Sequence, residues 1–137
     1  MTKGRPSEVH AYAHILNELT LKKGFDKQQI YTQQECLRIK AIAEQLGDTK
    51  PENVVKISES IYYLIESKNE RNKVDLALKE ARDDYANKIN KSNKVKVLLI
   101  TGIAGNNTEG FIAKSEFYND GNWQVITENE IELTGFF

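Results

Sequence analysis

Two glutamates and a lysine carry the clearest chemistry in this chain. Glu52 and Glu66 bracket two short apolar runs, Val54-Val55-Lys56-Ile57 and Ile61-Tyr62-Tyr63-Leu64-Ile65, and Lys68 follows two residues after the second acid. Side chains alternate along a strand, so Glu66 and Lys68 project from one face, about 7 Å apart. If the runs form a hairpin folded about Glu59, Ile57 faces Ile61, Val55 faces Tyr63 and Glu52 faces Glu66. Directly opposed residues have Cβ atoms about 5 Å apart, and two opposed carboxylates repel. A divalent cation that prefers oxygen ligands, Mg²⁺ or Mn²⁺, turns that repulsion into binding. Lys68 would then stand next to a metal-bound water or a phosphate oxygen, which outlines a site for cutting phosphodiesters. An acid-x-lysine triplet by itself is ordinary on surface strands. The information lies in its place after an apolar strand and opposite the Pro51-Glu52 pair. The register is an assumption, because Ser58-Glu59-Ser60 has no Gly of the kind that three-residue hairpin loops favour.

The surrounding sequence predicts the elements that would hold these residues. Over 5–23 an amphipathic helix is expected, begun by Pro6 and Ser7, with Val9, Tyr12, Ala13, Leu16 and Leu19 near helical spacing and Gly24 as its stop. Glu8 lies in its first turn, where the helix dipole favours an acid. A second helix is expected over 33–46, with Ile39, Ile42, Ala43 and Leu46 on one side and Gly47 closing it; Ile30-Tyr31-Thr32 before it reads as a short strand or a loop. The clearest helix covers 72–90, where Val74, Leu78, Ala81, Tyr85 and Ile89 form a stripe. A buried strand is expected over 94–101, a turn region over 102–110 and a strand over 111–118. Asn119-Asp120-Gly121-Asn122 then signals a hairpin into 123–127. A helix between two strands of one sheet makes the strands parallel. The fold class is therefore α/β, a mixed central sheet flanked by helices with a C-terminal β-hairpin.

At 137 residues the chain suits one domain. Its formal net charge of −1 argues against a basic nucleic-acid-binding module as a whole. Locally, Lys88, Lys91, Lys94 and Lys96 gather where the long helix gives way to the next strand. They suit contact with DNA phosphates, although a solvated helix end, where cations also favour the dipole, is the better reading. The single Cys36 forms no internal disulfide and no apolar run approaches the ~20 residues of a membrane span, so a cytoplasmic location is expected. The start of the chain also lacks the apolar stretch of a secretory signal. The glycines of 101–107 lack the Gly-Lys-Ser/Thr ending of a phosphate-binding loop. His10 and His14 sit four apart without a third ligand nearby, and Trp123, Phe136 and Phe137 read as core or interface contacts.

This layout resembles the PD-(D/E)xK nuclease superfamily, and within it the N-terminal nuclease domain of type I restriction enzyme R subunits and N6-adenine methylase fusion proteins. The resemblance runs through Ser7-Glu8, Gly24-Phe25-Asp26, Pro51-Glu52, Leu64-Ile65-Glu66-Ser67-Lys68, Leu78-Lys79-Glu80-Ala81, Tyr85-Ala86 and Ile100-Thr101-Gly102. It implies a restriction-endonuclease-like core and Mg²⁺ (or Mn²⁺) held by Glu52 and Glu66, with help from the Ser67 carbonyl and from Glu8. Lys68 would be the catalytic lysine. It further implies a DNA endonuclease in which residues 1–137 are one nuclease-like domain, the N-terminal part of a longer restriction-modification protein. Its partners would be DNA and other domains or subunits of that complex, with no membrane. Two departures stand out. Glu52 replaces the usual aspartate and is one methylene longer. Relatives often carry Gln-x-x-x-Tyr on the next helix, whereas Ala81 stands four before Tyr85 and Glu80 five before it, which weakens a DNA-positioning role for Tyr85. The alternative is a nuclease-fold module with a weak metal site, kept for DNA binding or subunit docking.

Overall fold

The computed structural model describes residues 29–127 except 34, 48 and 50. The helix expected over 5–23, with Glu8, His10 and His14, lies outside the described residues, as do Phe136 and Phe137. The described chain is mixed α/β: one six-stranded sheet whose strands follow sequence order across it. The strands are β1 (Ile30–Thr32), β2 (Asn53–Lys56), β3 (Ile61–Lys68), β4 (Lys96–Asn106), β5 (Gly110–Asn119) and β6 (Asn122–Ile126). Only β3 and β4 pair in parallel. They are also the pair joined by a helix, α2 (74–89), because parallel neighbours need a long crossover. A shorter helix, α1 (Lys40–Leu46), precedes β2. No helix among the described residues is long and apolar enough to cross a membrane.

The Ile30-Tyr31-Thr32 stretch is a strand, paired antiparallel to β2. The helix expected over 33–46 is broken into a 3₁₀ turn, Glu35–Arg38, and α1, with Ile39 extended between them at φ −86° and ψ 99°. Its start is fixed by a reciprocal cap: the Thr32 N–H donates to Glu35 Oε1 (3.0 Å) and the Glu35 N–H donates to Thr32 Oγ1 (3.3 Å). The β2–β3 register is the one expected, with Val55 opposite Tyr63 and Val54 opposite Leu64. The loop closes without glycine because the Ile57 and Ser58 N–H groups both donate to the Ile61 carbonyl, at 2.9 and 3.1 Å.

Each face of the sheet buries its own apolar set. Val54, Tyr62, Leu64, Val97 and Ile100 pack with Ile42 and Leu46 of α1 and with Leu78, Ala81, Ala86 and Ile89 of α2. On the other face Ile30, Val55, Tyr63, Ile65, Leu99 and Ile103 form a second cluster. Alternation along β3 therefore puts Glu66 and Lys68 on the α2 side, in line with Tyr62 and Leu64. β4 outruns the expected 94–101, continuing extended to Asn106. The glycine at 102 serves close packing rather than a turn: a Cβ there would lie 2.8 Å from Leu78 Cα and 2.9 Å from the Ala77 carbonyl carbon. The β5–β6 hairpin turns on Asp120 (φ 51°) and Gly121 (φ 80°), both left-handed, as a two-residue type I′ turn requires.

Candidate active site

Glu66 is the most unusual side chain in the described chain, an acid 4 % exposed in the middle of a sheet. Its Oε1 accepts the Glu52 backbone N–H at 2.6 Å, so the residue before β2 grips the acid of β3 directly. Such a bond to a charged acceptor is short and strong. Burial pushes the Glu66 carboxyl well above the usual carboxylate range. The Glu52 N–H pulls it back, the Glu52 and Glu80 charges add to the rise, and Lys68 opposes it.

Pro51 explains why β2 stops where it does. The Ile61 carbonyl accepts from Ile57, and backbone groups alternate sides along a strand, so residues 63, 65 and 67 also turn theirs toward β2. Extending the register sets Pro51 opposite Ser67. Proline has no N–H to donate, and the ladder ends there. The Ser67 carbonyl is thus aimed at the Pro51-Glu52 corner, where a ladder donor from Pro51 is impossible. Pro51 itself is fully buried and holds that corner in place.

Lys68 lies on the same face as Glu66, but its ion pair is with Glu80 of α2, Nζ to Oε1 at 2.8 Å. Glu80 is the residue the sequence underrated. Residues Glu80–Ala86 are a π-helical segment set between the α-helical turns Val74–Lys79 and Asn87–Ile89, and the Asn87 N–H bonds back to the Arg82 carbonyl. An i→i+5 ladder stacks residues five apart, where an α-helix stacks residues four apart. The core stripe consequently runs through Val74, Leu78, Ala81, Ala86 and Ile89. Tyr85, expected in that stripe, packs half-buried against the edge of that core, near the acids. Burial, followed by the charges of Glu66, Asp84, Glu80 and Glu52, raises its phenol and keeps it protonated. Glu80 and Tyr85 stand one π turn apart on the side facing Glu66 and Lys68.

The donors present here are chemically suited to a hard cation. Glu66 is buried with its negative charge reinforced by two other acids, while the nearest lysine is engaged by Glu80. A divalent ion would relieve that excess, with Glu52, Glu66 and the Ser67 carbonyl as its oxygen donors. Among the described residues no group of three or more His, Cys, Asp or Glu side chains converges as a metal cluster. Glu8, the fourth ligand suggested by the sequence, lies outside the described residues.

The lysine group has a different location. Lys96 starts β4 opposite Ile61, whereas Lys68 pairs with Ala104, a separation of about 23 Å along β3. Lys96 Nζ caps the end of α2, bonding to the Asn90 and Ser92 carbonyls at 2.5 and 3.0 Å, and Lys94 reaches Glu44 at 3.7 Å. Lys88 and Lys91 belong to the same end of the helix. The cations that next follow Lys68 in the chain are Arg71 and Lys73, in the exposed 3₁₀ turn after β3, where Lys73 Nζ lies 3.6 Å from Glu70 Oε1. Arg71 lines an open depression with Asn72, Glu109 and Ile112, and its backbone N–H donates to Glu109 Oε1 at 3.0 Å. Trp123 packs at the rim of the core on Tyr118 and donates to Asn87 Oδ1 at 2.8 Å, a structural contact.

No family model, curated protein or solved structure matches this chain.

Proposed function

We propose that the chain is a metal-dependent deoxyribonuclease domain of the PD-(D/E)xK type, serving a cytoplasmic restriction-modification protein, with Mg²⁺ or Mn²⁺ as its cofactor. The observation that carries this reading is the joining of Glu52 to Glu66, a 2.6 Å backbone-to-carboxylate bond at the end of a hairpin with Lys68 on the same strand face. Glu52, Glu66 and the Ser67 carbonyl are the ligands proposed for the ion. When bound, the ion supplies a polarised phosphoryl oxygen and an acidified water. Lys68 then offsets charge that builds on phosphorus. Tyr85, kept protonated, offers a hydroxyl donor to a phosphate or sugar oxygen beside the acids. The DNA backbone would run past the C-terminal end of β3, where Arg71 and Lys73 add positive charge.

The test is cleavage of plasmid DNA with Mg²⁺ or Mn²⁺ by the wild type, Glu66→Ala and Lys68→Ala. Each variant should abolish metal-dependent cleavage while keeping its circular dichroism. Full activity in both variants would end the proposal. A second reading, a catalytically weak module for DNA binding or subunit docking, is favoured by the Lys68–Glu80 pair, which already occupies the ammonium with a carboxylate. That reading predicts no calorimetric Mg²⁺ or Mn²⁺ binding in the wild type and no change on Glu66→Ala.

A further inference from the structure

We infer that Glu80 is the positioning residue for Lys68. This role rests on the nuclease reading and extends it to a residue on α2. Lysine has a flexible four-carbon stem and presents a point charge, so its ammonium needs an external fix to stay in one place. Glu80 provides that fix: the pair spans 2.8 Å with the two side chains 24 % and 26 % exposed, sheltered more than the Lys114–Asp75 pair at 48 % and 77 %. The closeness of α2 to this spot is set by Gly102, which pairs with Glu66 and admits the Ala77-Leu78 backbone against β4. The phase of α2 is set by the π segment. In an unbroken α-helix residues five apart diverge by about 140°. Glu80 and Tyr85 could not both face β3, and the core would have to choose between Tyr85 and Ala86. With i→i+5 bonding, Ala81 and Ala86 stay in the core and Glu80 and Tyr85 share the site. The charge of Glu80 also has a consequence for binding. It neutralises Lys68 in the free protein, so it opposes phosphate binding while ordering the ammonium.

The experiment compares wild type, Glu80→Gln, Glu80→Asp and Asp75→Asn by two readouts. The first is the order of the Lys68 side chain, from ¹³Cε relaxation of the metal-free protein. Lys68 should be restrained in wild type and in Asp75→Asn, and mobile in Glu80→Gln. The second is steady-state cleavage of a DNA duplex with Mg²⁺. Glu80→Gln should lower kcat by about 10²-fold, the scale of a misplaced catalytic group, with KM unchanged or reduced. Glu80→Asp should recover part of the lost rate, and Asp75→Asn should match wild type in both readouts. A Lys68 side chain equally mobile in wild type and Glu80→Gln, or equally restrained in both, overturns the positioning role. So does an unchanged kcat in Glu80→Gln when the wild type is active. A wild type inactive with both Mg²⁺ and Mn²⁺ overturns the nuclease reading itself, and the catalytic part of this role with it.

Discussion

Glu66→Gln should make the metal-free protein more stable at neutral pH while removing its function. The substitution keeps the shape of the side chain and an oxygen that can accept the Glu52 N–H, so packing in the sheet is little disturbed. It deletes a buried charge. Because burial raises the Glu66 carboxyl, its contribution to stability is complete below the unfolded-state value, about 4.3, and is lost as pH climbs through the folded-state value. Each pH unit of that displacement corresponds to about 1.4 kcal/mol. Against it stands the weakening of a charge-assisted hydrogen bond to a neutral one, about 1 kcal/mol. Once the displacement exceeds about one pH unit the balance favours glutamine at pH 8, and each kcal/mol of it raises Tm by about 3–5 °C for a chain of this size. Thermal and urea unfolding in EDTA at pH 5 and pH 8 give the answer. Wild type should gain stability on acidification, and Glu66→Gln should flatten that dependence. Mg²⁺ at a hundredfold over its Kd should then restore about 2.7 kcal/mol to wild type and leave the variant unchanged. A variant less stable than wild type at pH 8 in EDTA would refute the buried-charge argument, and equal stabilisation of both proteins by Mg²⁺ would refute Glu66 as a ligand.

Gly102→Ala should cost about 1–3 kcal/mol by urea unfolding, since its Cβ enters the backbone of α2 and the helix must move off β4; an unchanged midpoint would mean α2 is not pressed there. Asn53→Leu should stabilise by about 1–3 kcal/mol, because Asn53 is 0 % exposed with neither side-chain polar atom hydrogen-bonded among the described residues. A loss of stability in that variant would reveal a partner for the amide. Deletion of Asp84, an exposed residue inside the π segment, should close the helix to regular α spacing and leave Ala81, Ala86 and Ile89 in the core with Glu80 and Tyr85 four apart. Its Tm should equal or exceed that of wild type, and a cooperative transition lost or lowered by several degrees would show that the π turn is not a one-residue insertion.

The hairpin was legible in the sequence because a slip of one residue would have turned Val54 and Leu64 out of one core and Val55 and Tyr63 out of the other. That constraint overrides the missing loop glycine, whose place is taken by two N–H groups converging on the Ile61 carbonyl. The long helix was legible as a helix but not as a π-containing one. Its apolar positions fit a 3.6-residue period through Tyr85 and a five-residue step through Ala86 equally well, and a phenol is apolar enough to pass for core. Ala86 and Glu80 could have signalled the alternative only together, through the acid standing five before the tyrosine. The glycines after Thr101 were read as a turn because composition cannot separate a glycine needed for left-handed backbone from one needed for close approach. At 102 the need is space for α2. What Lys96 binds is hidden for a similar reason: the carbonyls of Asn90 and Ser92 that occupy it are backbone groups, invisible to a count of charged residues.

The same corner of the sheet accounts for both the cost and the use of the site. Pro51 ends the β2 ladder one pair early, which leaves the Ser67 carbonyl without a ladder donor from Pro51, and the Glu52 N–H turns onto the Glu66 carboxylate. A leucine at 66 would pack on Leu64 and α2 with no charge to desolvate, so stability alone gives no reason for the acid. Nor does ion pairing: Lys68 lies on the same face, yet it is engaged by Glu80. A buried Glu66 pressed by the charges of Glu52 and Glu80, set where a ladder has been cut short, is an arrangement that an added cation would relieve. Stability lost in the free protein is then affinity gained for the ion, and the two should trade one for the other as Glu52 and Glu66 are neutralised in turn.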